Sequence, residues 1–155
     1  MKPRYLFLLF IPCTIFARIG ETEVQCVERY GSFEPAFEQK DTRLFQKAGL
    51  QITVHYFDGK ADVVIYSKVK EDVLGRSEEF SSTEIDVLLK SNAGEKAWLV
   101  QRADPFQKFW VTEDGALIAS YRNTKSRALI ILTKESANRK KLETEAHEKS
   151  QLEGL

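Results

Sequence analysis

The stretch from Leu50 to Lys68 constrains the fold more than any other part of the sequence. Leu50, Ile52, Val54 and Tyr56 alternate with Gln51, Thr53, His55 and Phe57, the period of two that suits a strand with one apolar face. Asp58-Gly59 follows, a dipeptide that accepts the positive φ required at both central positions of a two-residue hairpin turn. Lys60 to Lys68 then returns as the second strand. Because loop length sets cross-strand register, Phe57 is expected to face Lys60, Tyr56 to face Ala61, His55 to face Asp62, Val54 to face Val63 and Ile52 to face Ile65. One face of the hairpin is then apolar, and the other carries His55 and Asp62.

The same syntax recurs along the chain. Thr22 with Gln25 forms a capping box, and Val24, Val27 and Tyr30 at helical spacing before Gly31 predict a first helix over 22–30. Ser32 to Asp41 reads as a loop that pins Phe33 and Phe37 onto the core. Leu44 to Lys47 is a short strand before the Ala48-Gly49 turn. Residues 69–80 are a polar connection. Ser81 with Glu84 is a second capping box, and Ile85, Leu88 and Leu89 make a helical stripe ending near Asn92 and Gly94. Strands are expected at Trp98 to Val100, Lys108 to Glu113, Ala116 to Arg122 after the Asp114-Gly115 turn, and Arg127 to Thr133, with a break at Ala103-Asp104-Pro105.

This order predicts an α+β fold in which two helix-plus-antiparallel-meander units, about 20–68 and 81–133, pack as one domain over 18–133 with the helices on one face of the sheet. Aligning the two Asp-Gly turns places Trp110, Leu117, Ala119 and Tyr121 in the core register of Val54, Tyr56, Ala61 and Val63. Phe109, Val111 and Ile118 then point the other way. Apolar residues on the second face of a sheet require cover from a helix, the tail or a partner protein, so these three form a candidate binding surface.

Residues 1–17 differ from the rest: Lys2 and Arg4 precede an apolar run from Tyr5 to Phe16 that ends at Ala17, the pattern of a cleaved export signal. The run is shorter than the roughly 20 residues of a membrane-spanning helix, so no integral span is expected after cleavage and the mature protein is placed outside the cytoplasm, periplasmic or secreted. Phe10, Ile11 and Pro12 ahead of Cys13 do not suit a lipid attachment site. Cys26 is then the single cysteine of the mature chain, which excludes an internal disulfide and makes it a small buried core residue. Residues 134–155 are rich in Lys, Glu, Arg and Gln, with Leu142, Ala146 and Leu152 too sparse for an apolar face, and read as a charged helical or disordered tail.

The 155 residues carry 23 basic and 23 acidic side chains and are 43% hydrophobic, enough for a core and without the net positive field that nucleic acid or an anionic membrane would attract. His147 lies in the tail, leaving His55 with Asp62 as the polar pair to weigh. A carboxylate beside an imidazole can orient a general base, but Ser67 and Thr53 are poorly placed as nucleophiles, and an exposed cross-strand pair worth under about 1 kcal/mol accounts for the same two residues. No spacing suits a metal, no Gly-rich loop suits a phosphate, and no cofactor is expected. The reading is a non-enzymatic, monomeric module that binds another protein, with a small hydrolase built on His55 and Asp62, or a structural envelope protein, as alternatives.

The succession Gly20-Glu21-Thr22, Val24, Tyr30-Gly31, a strand, Phe57-Asp58-Gly59-Lys60 and a second strand resembles the small α/β unit of the SmpA/OmlA-type outer-membrane assembly lipoproteins. The tandem arrangement over residues 20–133 is similar to the β-lactamase-inhibitory-protein type, which has two such units. The chain departs from the lipoproteins in having no lipid-bearing cysteine at the mature start. The resemblance implies an exported bacterial protein whose sheet surface binds another protein, and supplies no activity.

Overall fold

In the computed structural model, residues 19–35, 39–123 and 127–152 are described; residues 1–17, where the sequence pattern predicts an export signal, lie outside them. The chain runs α1 (Glu23–Tyr30), β1 (Thr42–Lys47), β2 (Leu50–Phe57), β3 (Lys60–Lys68), α2 (Ser82–Ala93), β4 (Trp98–Ala103), β5 (Gln107–Thr112), β6 (Leu117–Arg122), β7 (Leu129–Thr133) and α3 (Lys134–Leu152). The architecture is α+β: three helices with one seven-stranded sheet in the order β1-β2-β3-β7-β6-β5-β4, every neighbouring pair antiparallel.

Both helix starts form as their residues dictate. Thr22 and Ser81 accept from the backbone N–H of Gln25 and Glu84, whose side chains reach back to the cap residues, closing two reciprocal capping boxes. The Asp58-Gly59 turn has φ of 49° and 72°, the left-handed pair that a tight hairpin demands. Its register departs from a plain hairpin after two pairs. Phe57 faces Lys60 and Tyr56 faces Ala61, but a β-bulge then takes up Asp62, so that His55 faces Val63, Val54 faces Val64 and Ile52 faces Tyr66. The expected pairs of His55 with Asp62, Val54 with Val63 and Ile52 with Ile65 are therefore corrected. Val64 and Tyr66, rather than Val63, turn into the core.

The core is one cluster. Cys26 and Tyr30 from α1 and Ile85, Leu88 and Leu89 from α2 pack with Phe45, Ile52, Val54, Val64, Tyr66, Leu129, Ile131, Ala119 and Trp110 from six of the strands. At its centre the fully buried Tyr66 accepts at its hydroxyl from the Asn92 amide at 3.1 Å and meets the Tyr30 hydroxyl at 3.5 Å, so β3 is tied to α1 and α2 by polar as well as apolar contacts. Burial pushes the Cys26 thiol up from its ordinary range, as suits a packing residue rather than a reactive one.

The charged C-terminal segment forms a 19-residue helix, and its residues from Lys140 to Gln151 are exposed. With no apolar stripe to hold it, α3 depends on its first turns. Thr133 caps it by accepting from Ser136 N–H at 3.0 Å, while its hydroxyl donates to Asp62 at 2.6 Å. Arg139 pairs with Asp62 as well, and its guanidinium lies 3.8 Å from the centroid of the Phe57 ring. The residue extruded by the bulge is thus the socket for α3. Replacing it, Asp62→Ala, is expected to cost about 1–3 kcal/mol by leaving Arg139 and Thr133 without their acceptor, and to speed amide exchange at residues 136–140 while exchange in β2 is unchanged. Urea melts and hydrogen exchange would read both effects.

Candidate functional site

Cross-strand partners in an antiparallel sheet share a face, so the register defines what lies opposite the core. One row runs Thr42, His55, Val63, Leu132, Ile118, Val111, Leu99 across all seven strands. The next runs Leu44, Thr53, Ile65, Ile130, Ser120, Phe109. Phe109, Val111 and Ile118 are therefore brought together on β5 and β6, pointing away from the core, with Leu132 and Ile130 of β7 beside them. These side chains are half-buried, and Leu99 at the row's end is 48% exposed. Leu44, on the same face at the β1 side, is buried. The helix α3 leads directly off β7 and reaches toward the β2–β3 side, where its Arg139 covers Phe57 of β2 and pairs with Asp62 of β3.

The polar pair is not assembled as a catalytic base. His55 is half-buried and its Nδ1 meets the Thr42 hydroxyl at 2.9 Å. Asp62 is spent on Thr133 and Arg139. Ser67 faces Gln51, four positions along β3 from the residue opposite His55, roughly 13 Å away at strand rise. Thr53 shares the face of His55, two positions along β2. Among the described residues, Thr42 provides the single hydroxyl bonded to the imidazole. No group of three metal-ligating side chains converges among the described residues, and no described helix is long and apolar enough to cross a membrane.

Burial lowers the His55 pKa from its ordinary 6.5, the Asp62 charge opposes the shift and Lys140 adds to it. A folded-state pKa below the unfolded one means that the unfolded chain takes up the proton first. His55 therefore leaves stability untouched well above pH 6.5 and subtracts from it as pH falls below that value. A proton NMR titration is expected to place the His55 midpoint below 6.5, and His55→Gln to flatten the decline in stability between about pH 7 and 5.

A feature beyond the local sequence pattern is the groove at the far side of the sheet. Trp98 and Val100 of β4, Trp110 of β5 and Leu89 of α2 line an open cleft of about 640 Å³, with Asp86 and Lys90 at its rim. The Trp98 indole N–H donates to the Leu89 carbonyl at 2.8 Å, fixing the ring against α2. The apolar run Trp98-Leu99-Val100 predicts a strand, but its place at the end of the strand order among the described residues is a long-range outcome that local pattern does not carry. Comparison of the chain with protein families, with curated proteins and with solved structures returns no match.

Proposed function

We propose that this is an exported, non-enzymatic module that binds another protein through the sheet face opposite its core. One observation carries the reading: Leu132, Ile118, Val111 and Leu99 form a continuous apolar row over the four strands on the β4 side of the sheet, flanked by Ile130 and Phe109, on the face that is not built into the main core cluster. Apolar side chains gathered on the second face of a sheet need cover, and a partner protein can supply it. In this proposal the mature protein is a monomer outside the cytoplasm, released by cleavage near Ala17, with no membrane span of its own. A hydrolase reading has less support, because His55 and Asp62 are committed to different partners.

The fold reading that accompanies this is of two helix-plus-meander units with α1 and α2 on one face. Its support is the repeated order of capping box, helix, strand, Asp-Gly turn and strand, and the contribution of both helices to one cluster. It is the arrangement implied by the resemblance to the SmpA/OmlA and β-lactamase-inhibitory-protein types.

The test is expression with the native leader, fractionation and intact mass, then capture from an envelope extract on the mature protein. Loss of about seventeen residues with recovery of a specific partner is the expected result. A full-length cytoplasmic product would overturn the export reading, and an empty capture would overturn the binding reading.

A further inference from the structure

The two edges of the sheet are treated differently by the rest of the chain. At β1 the preceding loop lies along the edge: Glu34 N–H donates to the Leu44 carbonyl at 2.8 Å, and Gln39 and Thr42 exchange backbone bonds at 3.2 and 3.3 Å. At β4 no described residue does the same. Glu113 N–H donates to the Ala97 carbonyl at 3.0 Å, which sets the alternation: Ala97 and Leu99 turn their amides and carbonyls in toward β5, and Trp98 and Val100 turn theirs out. The two residues with outward backbone groups are the two whose side chains line the groove against α2. Leu99 between them is on the opposite face, at the end of the apolar row.

We propose that β4 takes an extended peptide segment of the partner protein as an added strand, its alternate residues apolar and seated in the groove between β4 and α2. This rests on the protein-binding reading above and gives that partner a form. A strand added opposite Trp98 and Val100 satisfies their outward amides and carbonyls, and its side chains at those two positions enter the groove between Trp98, Trp110 and Leu89. Its intervening side chain meets Leu99 and prolongs the row Leu99, Val111, Ile118 on the other face. The edge site and the sheet-face site are therefore continuous. The charged lining of the groove is mixed, Asp86 and Glu95 against Lys90, with Lys96 paired with Asp114 at 2.5 Å, so the charges lend it no strong field of one sign and its apolar wall of Trp98, Val100, Trp110 and Leu89 favours apolar side chains in the added segment. The bulge between Val100 and Arg102 breaks the ladder, which confines the added strand to a short segment beside Trp98 to Val100.

The experiment uses a random linear heptapeptide library displayed on phage and selected on the immobilised full chain, with the best peptide then titrated into labelled protein. Enriched sequences are expected to carry apolar residues at alternate positions, and bound peptide to slow amide exchange at Trp98 and Val100 by about tenfold or more. Val100→Pro removes one outward N–H at an edge position where proline is tolerated and is expected to weaken peptide binding by about tenfold, while Val100→Thr, which keeps the amide, stays within about threefold. No enrichment over an unrelated control protein, or a bound peptide that leaves Trp98 and Val100 exchange unchanged, overturns the proposal. Should Val100→Pro fail to fold, the exchange readout on the unaltered protein decides. If peptides fail in this way while partner capture persists and depends on Phe109 and Ile118, the edge inference falls and the sheet-face reading stands; if capture fails too, both fall.

Discussion

Leu129→Ala is expected to remove about 2–5 kcal/mol from the free energy of unfolding, a large part of the 5–15 kcal/mol typical of a single domain. Leu129 is fully buried on β7, where its cross-strand partners are Tyr66 on β3 and Tyr121 on β6. It therefore sits at the junction between the β1–β3 side and the β4–β6 side of the sheet. Truncation leaves a cavity lined by two tyrosines that are themselves tied to α1, α2 and Phe80, so the surroundings have little freedom to collapse. Because the buried cluster spans both sides, the loss is expected in one transition. Tryptophan fluorescence, which reports Trp98 and Trp110 on the β4–β5 side, and far-ultraviolet dichroism, which reports the whole chain, should shift together in urea. Two separated transitions, or a loss below about 1 kcal/mol, would contradict a shared core.

Phe109→Thr combined with Ile118→Thr is expected to weaken capture of the partner by about 30-fold or more, the scale of a hot-spot contact near 2 kcal/mol. Threonine keeps the strand preference of both positions and removes the apolar surface. Phe109 faces Ser120 and Ile118 faces Val111, so the pair removes apolar area from adjacent rungs of the β5–β6 ladder. Neither residue belongs to the main core cluster, so the melting temperature should fall by only a few degrees, in line with a loss of about 1 kcal/mol. Capture unchanged in the double variant would show that the partner does not bind this sheet face.

What could be read from the residues alone was local. Thr22 with Gln25, Ser81 with Glu84 and Asp58-Gly59 act through atoms a few positions apart, and each forms as its chemistry requires. The direction of Phe109, Val111 and Ile118 was equally accessible, since a single turn at Asp114-Gly115 sets the register of β5 with β6. The bulge at Asp62 was not, because Val63-Val64-Ile65-Tyr66 is apolar at every position and either alternation satisfies it. The deciding groups lie far off: Thr133 and Arg139 draw Asp62 out of the ladder from more than 70 positions away. The pairing of β3 with β7, which leaves β4 at an edge, is likewise a long-range choice with no local signature.

If a partner sits on the sheet face opposite the core, a photo-crosslinking amino acid at position 111 in the full chain will capture it there. Val111 is half-buried on that face, and Val87 of α2, 46% exposed, serves as the control position. Irradiation of living cells is predicted to give a discrete adduct with one envelope protein from position 111, absent from position 87 and lost with Ile118→Thr. Adducts confined to the chain's own α3, or equal adducts from both positions, would contradict it.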